Sequence, residues 1–247
     1  MVKLLMLILS VLLLVSLSFT QTMNIHTLSG TDVYDLADID SITFAVTGDT
    51  GLVTDIDGNI YHTVRIGTQV WLMENLTVTR YRNGDSIPNV TDGPTWGGLL
   101  TGAYCNYSND PNNASIYGRL YNWFAVDDPR GIAPEGWHVP SEAEWDILVN
   151  YLGGASVAGG AMKEAGTSHW NSPNSGATNS SGFTALPGGY RGIGNNFGGM
   201  GNEATFWSST EHSTDNAWNR SLYYGNAQVD RSTNGKQHGF SVRCVRD

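Results

Sequence analysis

Positive charge is scarce in this sequence. Lys and Arg number 13 against 23 Asp and Glu in 247 residues, and charged side chains make up only 15%. Dispersed cations at a formal net charge of −10 build no basic field, which excludes nucleic acid and anionic membrane surfaces as main partners. Cysteine is nearly missing: Cys105 and Cys244 are the only two. They form no Cys-x-x-Cys site, and the scattered His62, His138, His169, His212 and His238 form no HExxH pair for zinc. What is abundant is glycine, with 30 residues, alongside 8 tryptophans and 11 tyrosines. That mixture describes a loop-rich, aromatic-cored β or α+β protein rather than a long helical bundle, and 40% hydrophobic content suffices for one sizeable core.

Residues 1–20 read as a signal peptide. Lys3 supplies the positive start, Leu4 to Val15 is a nearly unbroken apolar run, and Ser16, Ser18 and Thr20 offer cleavage positions. Cleavage is expected after Thr20, with Ser18 as the alternative. The run is short of the roughly 20 apolar residues a membrane span needs. The expectation is therefore a chain secreted or held at the cell surface, with no transmembrane segment after cleavage. Residues 21–50 read as a short β segment and linker: strands at Met23–Ile25, Val33–Leu36 and Ile42–Phe44, turns at Ser29-Gly30 and Asp38–Asp40, and a linker at Gly48–Gly51. The main domain is 51–247.

Within it, Gly136 to Gly154 carries a full set of helix signals. Ser141 and Glu144 form a capping box, Trp145, Leu148, Val149 and Leu152 share one face, and Gly153-Gly154 supplies the stop. Upstream, turns at Asp57-Gly58 and Gly67-Thr68 frame Tyr61–Ile66 and Val70–Met73 as a β-hairpin. Asp55, Asp57 and Asn59 also resemble the start of a calcium loop, but no bidentate Glu falls at the required place, so a plain turn is the favoured reading and no cofactor is expected. The spacing of Tyr117, Leu120, Tyr121 and Phe124 predicts a second short helix, and Ala158–Glu164 a third helical turn. Pro173–Gly182 reads as a long loop. Strands are expected at Thr205–Ser208, Ala217–Tyr223, Gln228–Arg231 and Phe240–Val245. In the last, Phe240, Val242 and Cys244 share one face while Ser241, Arg243 and Val245 share the other, and the strand is expected to close against the early hairpin.

Seven blocks carry a family resemblance: DIDGNIYHTVRIGTQVWLMENL, IYGRLYNWFAV, GIAPEGWHVPSEAEW, AGGAMKEAGTSHW, GFTALPGGYR, FWSSTE and GFSVRCVRD. In type and order they resemble the Fibrobacter-type major paralogous domain, FISUMP, over Leu52 to Asp247. The resemblance implies a bacterial secreted or cell-surface domain of the C-type-lectin-like fold: an α+β arrangement of two short helices on a twisted antiparallel sheet with long irregular loops, related in shape to the formylglycine-generating enzymes. It implies no activity. Those enzymes use a close cysteine pair near the C-terminus, and here only Cys244 lies in that region, so the oxidase motif is not matched. Cys105 and Cys244 read either as a disulfide, feasible after export, or as two buried thiols that never meet.

Catalysis is not expected. A glycosidase needs two carboxylates facing one cleft, and Glu203, Glu211, Asp215 and Asp230 are candidates only because they are acidic and loop-borne. His138 reads as a structural, hydrogen-bonded residue, and the sequons at Asn75 and Asn219 as incidental. Binding is the better-supported function. Trp218, Asn219, Arg220, Tyr223, Tyr224, Asn226, Gln228, Asp230 and Arg231 are dense in aromatic faces and oriented hydrogen-bonding groups suited to a carbohydrate or a cell-surface protein. The resemblance places the ligand surface of lectin-like folds in this late region, although the calcium-dependent sugar motifs of true lectins are lacking. Trp207, Trp218 and Leu222 read as core in the competing interpretation, which leaves Tyr223, Tyr224, Asn226 and Gln228 as the better surface candidates.

Overall fold

The computed structural model describes residues 22–27, 30–35 and 51–246. The chain divides into two compact units, Met1–Thr47 and Gly48–Asp247. In the first, β1 (Thr22–Thr27) and β2 (Gly30–Asp35) form an antiparallel hairpin with Thr22 opposite Asp35 and Thr27 opposite Gly30. The strand expected at Met23–Ile25 falls on this hairpin, as does Val33–Asp35 of the one expected at Val33–Leu36, whose Leu36 lies outside the described residues. The signal peptide at 1–20, the turn residue Ser29, the turn at Asp38–Asp40, the strand at Ile42–Phe44 and the first three linker residues lie outside the described residues.

The second unit is mixed α+β, mostly short sheets with a few short helices. In chain order it contains β3 (Leu52–Thr54), β4 (Ile60–Ile66), β5 (Gln69–Leu72), α1 (Gly93–Gly97), β6 (Tyr104–Cys105), α2 (Asn112–Tyr117), β7 (Leu120–Tyr121), α3 (Trp123–Val126), α4 (Glu142–Tyr151) and α5 (Ala158–Met162). Then follow β8 (Gly188–Arg191), β9 (Phe197–Met200), β10 (Glu203–Glu211), β11 (Asn216–Tyr223), β12 (Asp230–Gly235) and β13 (Val245–Arg246). One sheet runs β13-β5-β4-β3 and a second β12-β11-β10-β8-β9, with β6 and β7 as a small pair. Among the described residues no helix is long and apolar enough to cross a membrane.

Helix α4 forms where its local signals place it. Ser141 Oγ accepts from the Glu144 amide and Glu144 Oε2 accepts from the Ser141 amide (2.7 Å), while Gly153 and Gly154 take positive φ angles of 99° and 94°. His138 joins this cap by a hydrogen bond to Glu144, as a structural histidine. The second expected helix is corrected. Gly118 at φ 78° ends α2, and Leu120-Tyr121 turn extended to pair with Cys105 and Tyr104, so the helical spacing of 117–124 is split between α2, β7 and α3. Tertiary pairing overrides the local period there.

Residues 240–245 link two cores. Phe240, Val242 and Cys244 enter a core with Trp207, Tyr121 and Trp137, whereas Val245 enters the other, with Trp71, Trp145, Phe183 and Phe206. Only Val245 and Arg246 form a regular strand, pairing with Trp71 and Val70, and this closes the unit against its early hairpin. The same division governs the five-stranded sheet. Ala204, Phe206 and Leu222 face α4, and Trp207 and Ala217 face the first core.

With so much loop, many buried carbonyls lack a strand or helix partner, and cations supply one. Fully buried Arg243 donates to Leu72 O and Phe183 O as well as to Asn75 Oδ1. Arg191 donates to Val90 O, Thr91 O and Gly194 O, and Lys163 Nζ to Ser175 O, Tyr223 O and Asn226 O at 2.7–3.0 Å. Three of the scarce cations are thus committed inside the fold.

Candidate functional site

The side chains of β11 alternate. Trp218 and Arg220 point to the α4 side, and Asn219, Ser221 and Tyr223 to the opposite face. Antiparallel register sets Glu203, Thr205 and Trp207 of β10 opposite Tyr223, Ser221 and Asn219, and Ser232 of β12 opposite Asn219. Trp207 continues the core, but one end of this face is open. There Glu203, Thr205, Asn219, Ser221, Tyr223, Ser232 and Asn234 line a cleft of about 350 Å³, completed by Tyr190, His238 and Phe240. Its size falls within the range of small-molecule sites.

The cleft is a hydrogen-bonding surface with aromatic walls. Thr205 Oγ1 lies 2.7 Å from Glu203 Oε1 and 2.9 Å from Ser221 Oγ. Asn219 Nδ2 donates to Asn234 Oδ1 (2.8 Å), leaving the buried Asn219 Oδ1 without a partner. His238 Nδ1 donates to Gly235 O (3.0 Å), which leaves Nε2 as an acceptor. Burial lowers the His238 pKa and keeps the ring neutral at pH 7, although the Gly235 carbonyl pulls the other way. Burial also raises the Glu203 pKa, reinforced by the charge of Asp230 and opposed by hydrogen bonds from Thr205 and Tyr223. Burial raises Tyr223 as well, with Glu203 adding to it. Among the described residues no lysine or arginine lines the cleft.

Tyr190 owes its position to glycine. A Cβ on Gly198 would stand 2.8 Å from the Tyr190 hydroxyl, and Gly189 sits at φ 66° with Gly198 O and Met200 N against the place a side chain would take. The glycine-rich segments around 188–199 thus pair as β8 and β9 and clear space for one aromatic wall.

Of the nine residues singled out in the sequence, the structure brings Asn219 and Tyr223 into the cleft. Arg220 is a correction: it is buried, donating to Glu142 Oε2 (2.9 Å) and Asp146 Oδ1 (2.7 Å) of α4. Trp218 and Arg231 are also on that side, the guanidinium 3.7 Å from the ring centroid and donating to the same Glu142 oxygen. Tyr224, Asn226 and Gln228 belong to the following loop, with Tyr224 and Gln228 exposed, and Asp230 lines a separate groove against α4 with Arg220, Tyr223 and Arg231. They do not form one surface. Glu203 was legible only as an isolated acid, and Tyr190, Thr205, Ser221, Ser232, Asn234 and His238 were missed. The available signal was odd-numbered alternation in 203–207 and 219–223, which needs the strand register to be read.

The remaining candidates resolve into structure. Cys105 and Cys244 are free buried thiols in separate cores, so the disulfide is corrected. Burial pushes Cys105 up to about 11 and Cys244 higher still, which keeps both from the thiolate form that metal or redox chemistry uses. Asp55 serves a turn: Oδ1 accepts from the amides of Asp57 and Asn59, and Oδ2 from Asn59 Nδ2 and Tyr61 Oη (2.6 Å). Asn75 and Asn219, the sequon asparagines singled out in the sequence, are buried and inaccessible to a glycan.

The family model described as the Fibrobacter succinogenes major domain matches residues 64–246. No curated protein and no solved structure matches the chain.

Proposed function

The chain belongs to the Fibrobacter succinogenes major domain family, and from that premise we propose that it is a secreted or cell-surface recognition module that binds carbohydrate, without catalysis, in the cleft between Tyr190 and Tyr223. The observation that carries this reading is the composition of the cleft: hydroxyls, amides and one carboxylate beside Tyr190, Tyr223 and Phe240. Sugars present hydroxyl edges and apolar ring faces together, and such a lining meets both. Glu203 is the one carboxylate among the lining residues, whereas glycoside hydrolysis uses a pair. A C-type-lectin-like fold is part of the proposal, supported by the pairing of the last strand with the early hairpin.

Retention of the exported chain on cell-wall and plant polysaccharides, with and without chelator, tests the reading. Binding is expected to survive chelator and to be lost in Tyr190→Ala and Tyr223→Ala. Retention on no polysaccharide overturns the reading in favour of a surface-protein partner, and retention that ignores both substitutions moves the site elsewhere. A hydrolase is the second reading, favoured by the burial-raised Glu203 with Asp230 near it. Release of shorter oligosaccharides, abolished in Glu203→Gln, would establish it.

A further inference from the structure

We propose that the cleft selects a sugar carrying a free primary ammonium, an amino sugar, over its neutral or N-acetylated counterpart. This rests on the carbohydrate reading above and narrows it.

Glu203 brings a carboxylate into the cleft with no lysine or arginine among the lining residues to neutralise it. Asp230 adds further negative charge close enough to be felt at Glu203. Asn219 is fully buried, and its Oδ1 is unpartnered because the amide nitrogen is committed to Asn234. The carbonyl of Gly235 fixes the proton of His238 on Nδ1 and presents Nε2 as a lone pair. The cleft thus holds a carboxylate whose donors are the neutral hydroxyls of Thr205 and Tyr223, a free imidazole lone pair and, beneath its surface, an orphaned amide oxygen. An orphaned buried acceptor is costly until something supplies its hydrogen bond.

A primary ammonium has three N–H donors and no acceptor, which is the complement of that set. The walls agree, since Tyr190, Tyr223 and Phe240 offer ring faces to which a cation is attracted. So does the chain as a whole, whose net charge of −10 draws cationic ligands and repels acidic ones. Acetylation of the amine removes the charge and two of its N–H groups. An anionic sugar would meet Glu203 and Asp230 with like charge.

The groups that bear on Glu203 are Tyr223, Asp230 and His238, with Thr205 as a neutral donor. At pH 7 Tyr223 and His238 are uncharged, so the acid limb of ligand binding belongs to Glu203 and the alkaline limb to the ligand's amine. The test is calorimetry of the exported full chain with three probes: glucosamine oligomers, their N-acetylated equivalents and cellulose-derived oligomers of the same length. Glucosamine oligomers are expected to bind at least about tenfold tighter than either of the others, a difference of about 1.4 kcal/mol, with a bell-shaped pH dependence. In Glu203→Gln, which keeps an acceptor for Thr205, the preference should collapse to within about twofold and the acid limb should flatten. Equal binding of all three probes, or an unchanged preference in Glu203→Gln, overturns the inference and leaves the carbohydrate reading standing. Binding of none overturns both.

Discussion

Arg220 and Arg231 stand directly opposite one another on adjacent strands, and both donate to Glu142 Oε2, at 2.9 Å and 2.6 Å. Like charges facing across a ladder repel, so this sheet edge is tolerable only because the first turn of α4 delivers a carboxylate between them. The helix is fastened to the sheet by charge as well as by Trp145.

Glu142→Gln should therefore destabilise the domain by about 2 kcal/mol, because Arg220 keeps Asp146 but the two facing guanidiniums lose the charge between them. For a domain of this size that corresponds to a fall in Tm of roughly 4–8 °C. Adding Arg231→Gln should recover part of the loss. Thermal melts of the two variants check the sign, and a double variant no more stable than the single one would contradict this account.

Both cysteines should behave as inert thiols. Native protein is expected to resist a thiol-specific alkylating reagent at pH 8, while unfolded protein should take up two equivalents without prior reduction. Mass spectrometry reads the result. Uptake only after reduction would restore the disulfide.

Lys163 gives a pH dependence with a definite sign. Burial lowers its pKa from 10.5 to about 8. Between those values the unfolded chain holds a proton that the folded one has released, so stability rises with pH. The contribution is complete above about 10.5 and is lost as pH falls through about 8. Urea titrations at pH 7, 9 and 10 should show wild type gaining on Lys163→Met across that window. At pH 7 the variant should nevertheless be less stable by about 3 kcal/mol, since the carbonyls of Ser175, Tyr223 and Asn226 lose their donor.

Gly198→Ala separates binding from stability. The added methyl meets the far end of Tyr190, a ring that can swing away, so the fold should survive with a small change in Tm. Polysaccharide retention should fall several-fold. A variant that binds like wild type would remove Tyr190 from the site.

What could be read from the sequence was what local chemistry decides. The capping box at Ser141, the glycine stop after Leu152 and the hairpin before Val70 each involve neighbours in the chain. The alternation of 240–245 was legible for the same reason, and its two faces do enter two cores. The segment 117–124 misled because its partner, Tyr104-Cys105, is remote and the left-handed Gly118 leaves no periodic trace. The cleft was hidden more deeply. Tyr190, Glu203 and Asn219 become neighbours only through the register of strands that carry no motif, and Arg220 looks like a surface residue until its partner on α4 is known.

The pairing of residues 70–71 with 245–246 has a consequence for how the molecule comes into being. Arg243 reaches back across 171 positions to the Leu72 carbonyl, so neither core is complete while the ribosome still holds the last strand. Contacts at such separation also slow the search for the native state. For the exported chain proposed above that delay would be a gain: the domain would stay threadable through a narrow channel until Val245 has emerged, and would lock only on the far side.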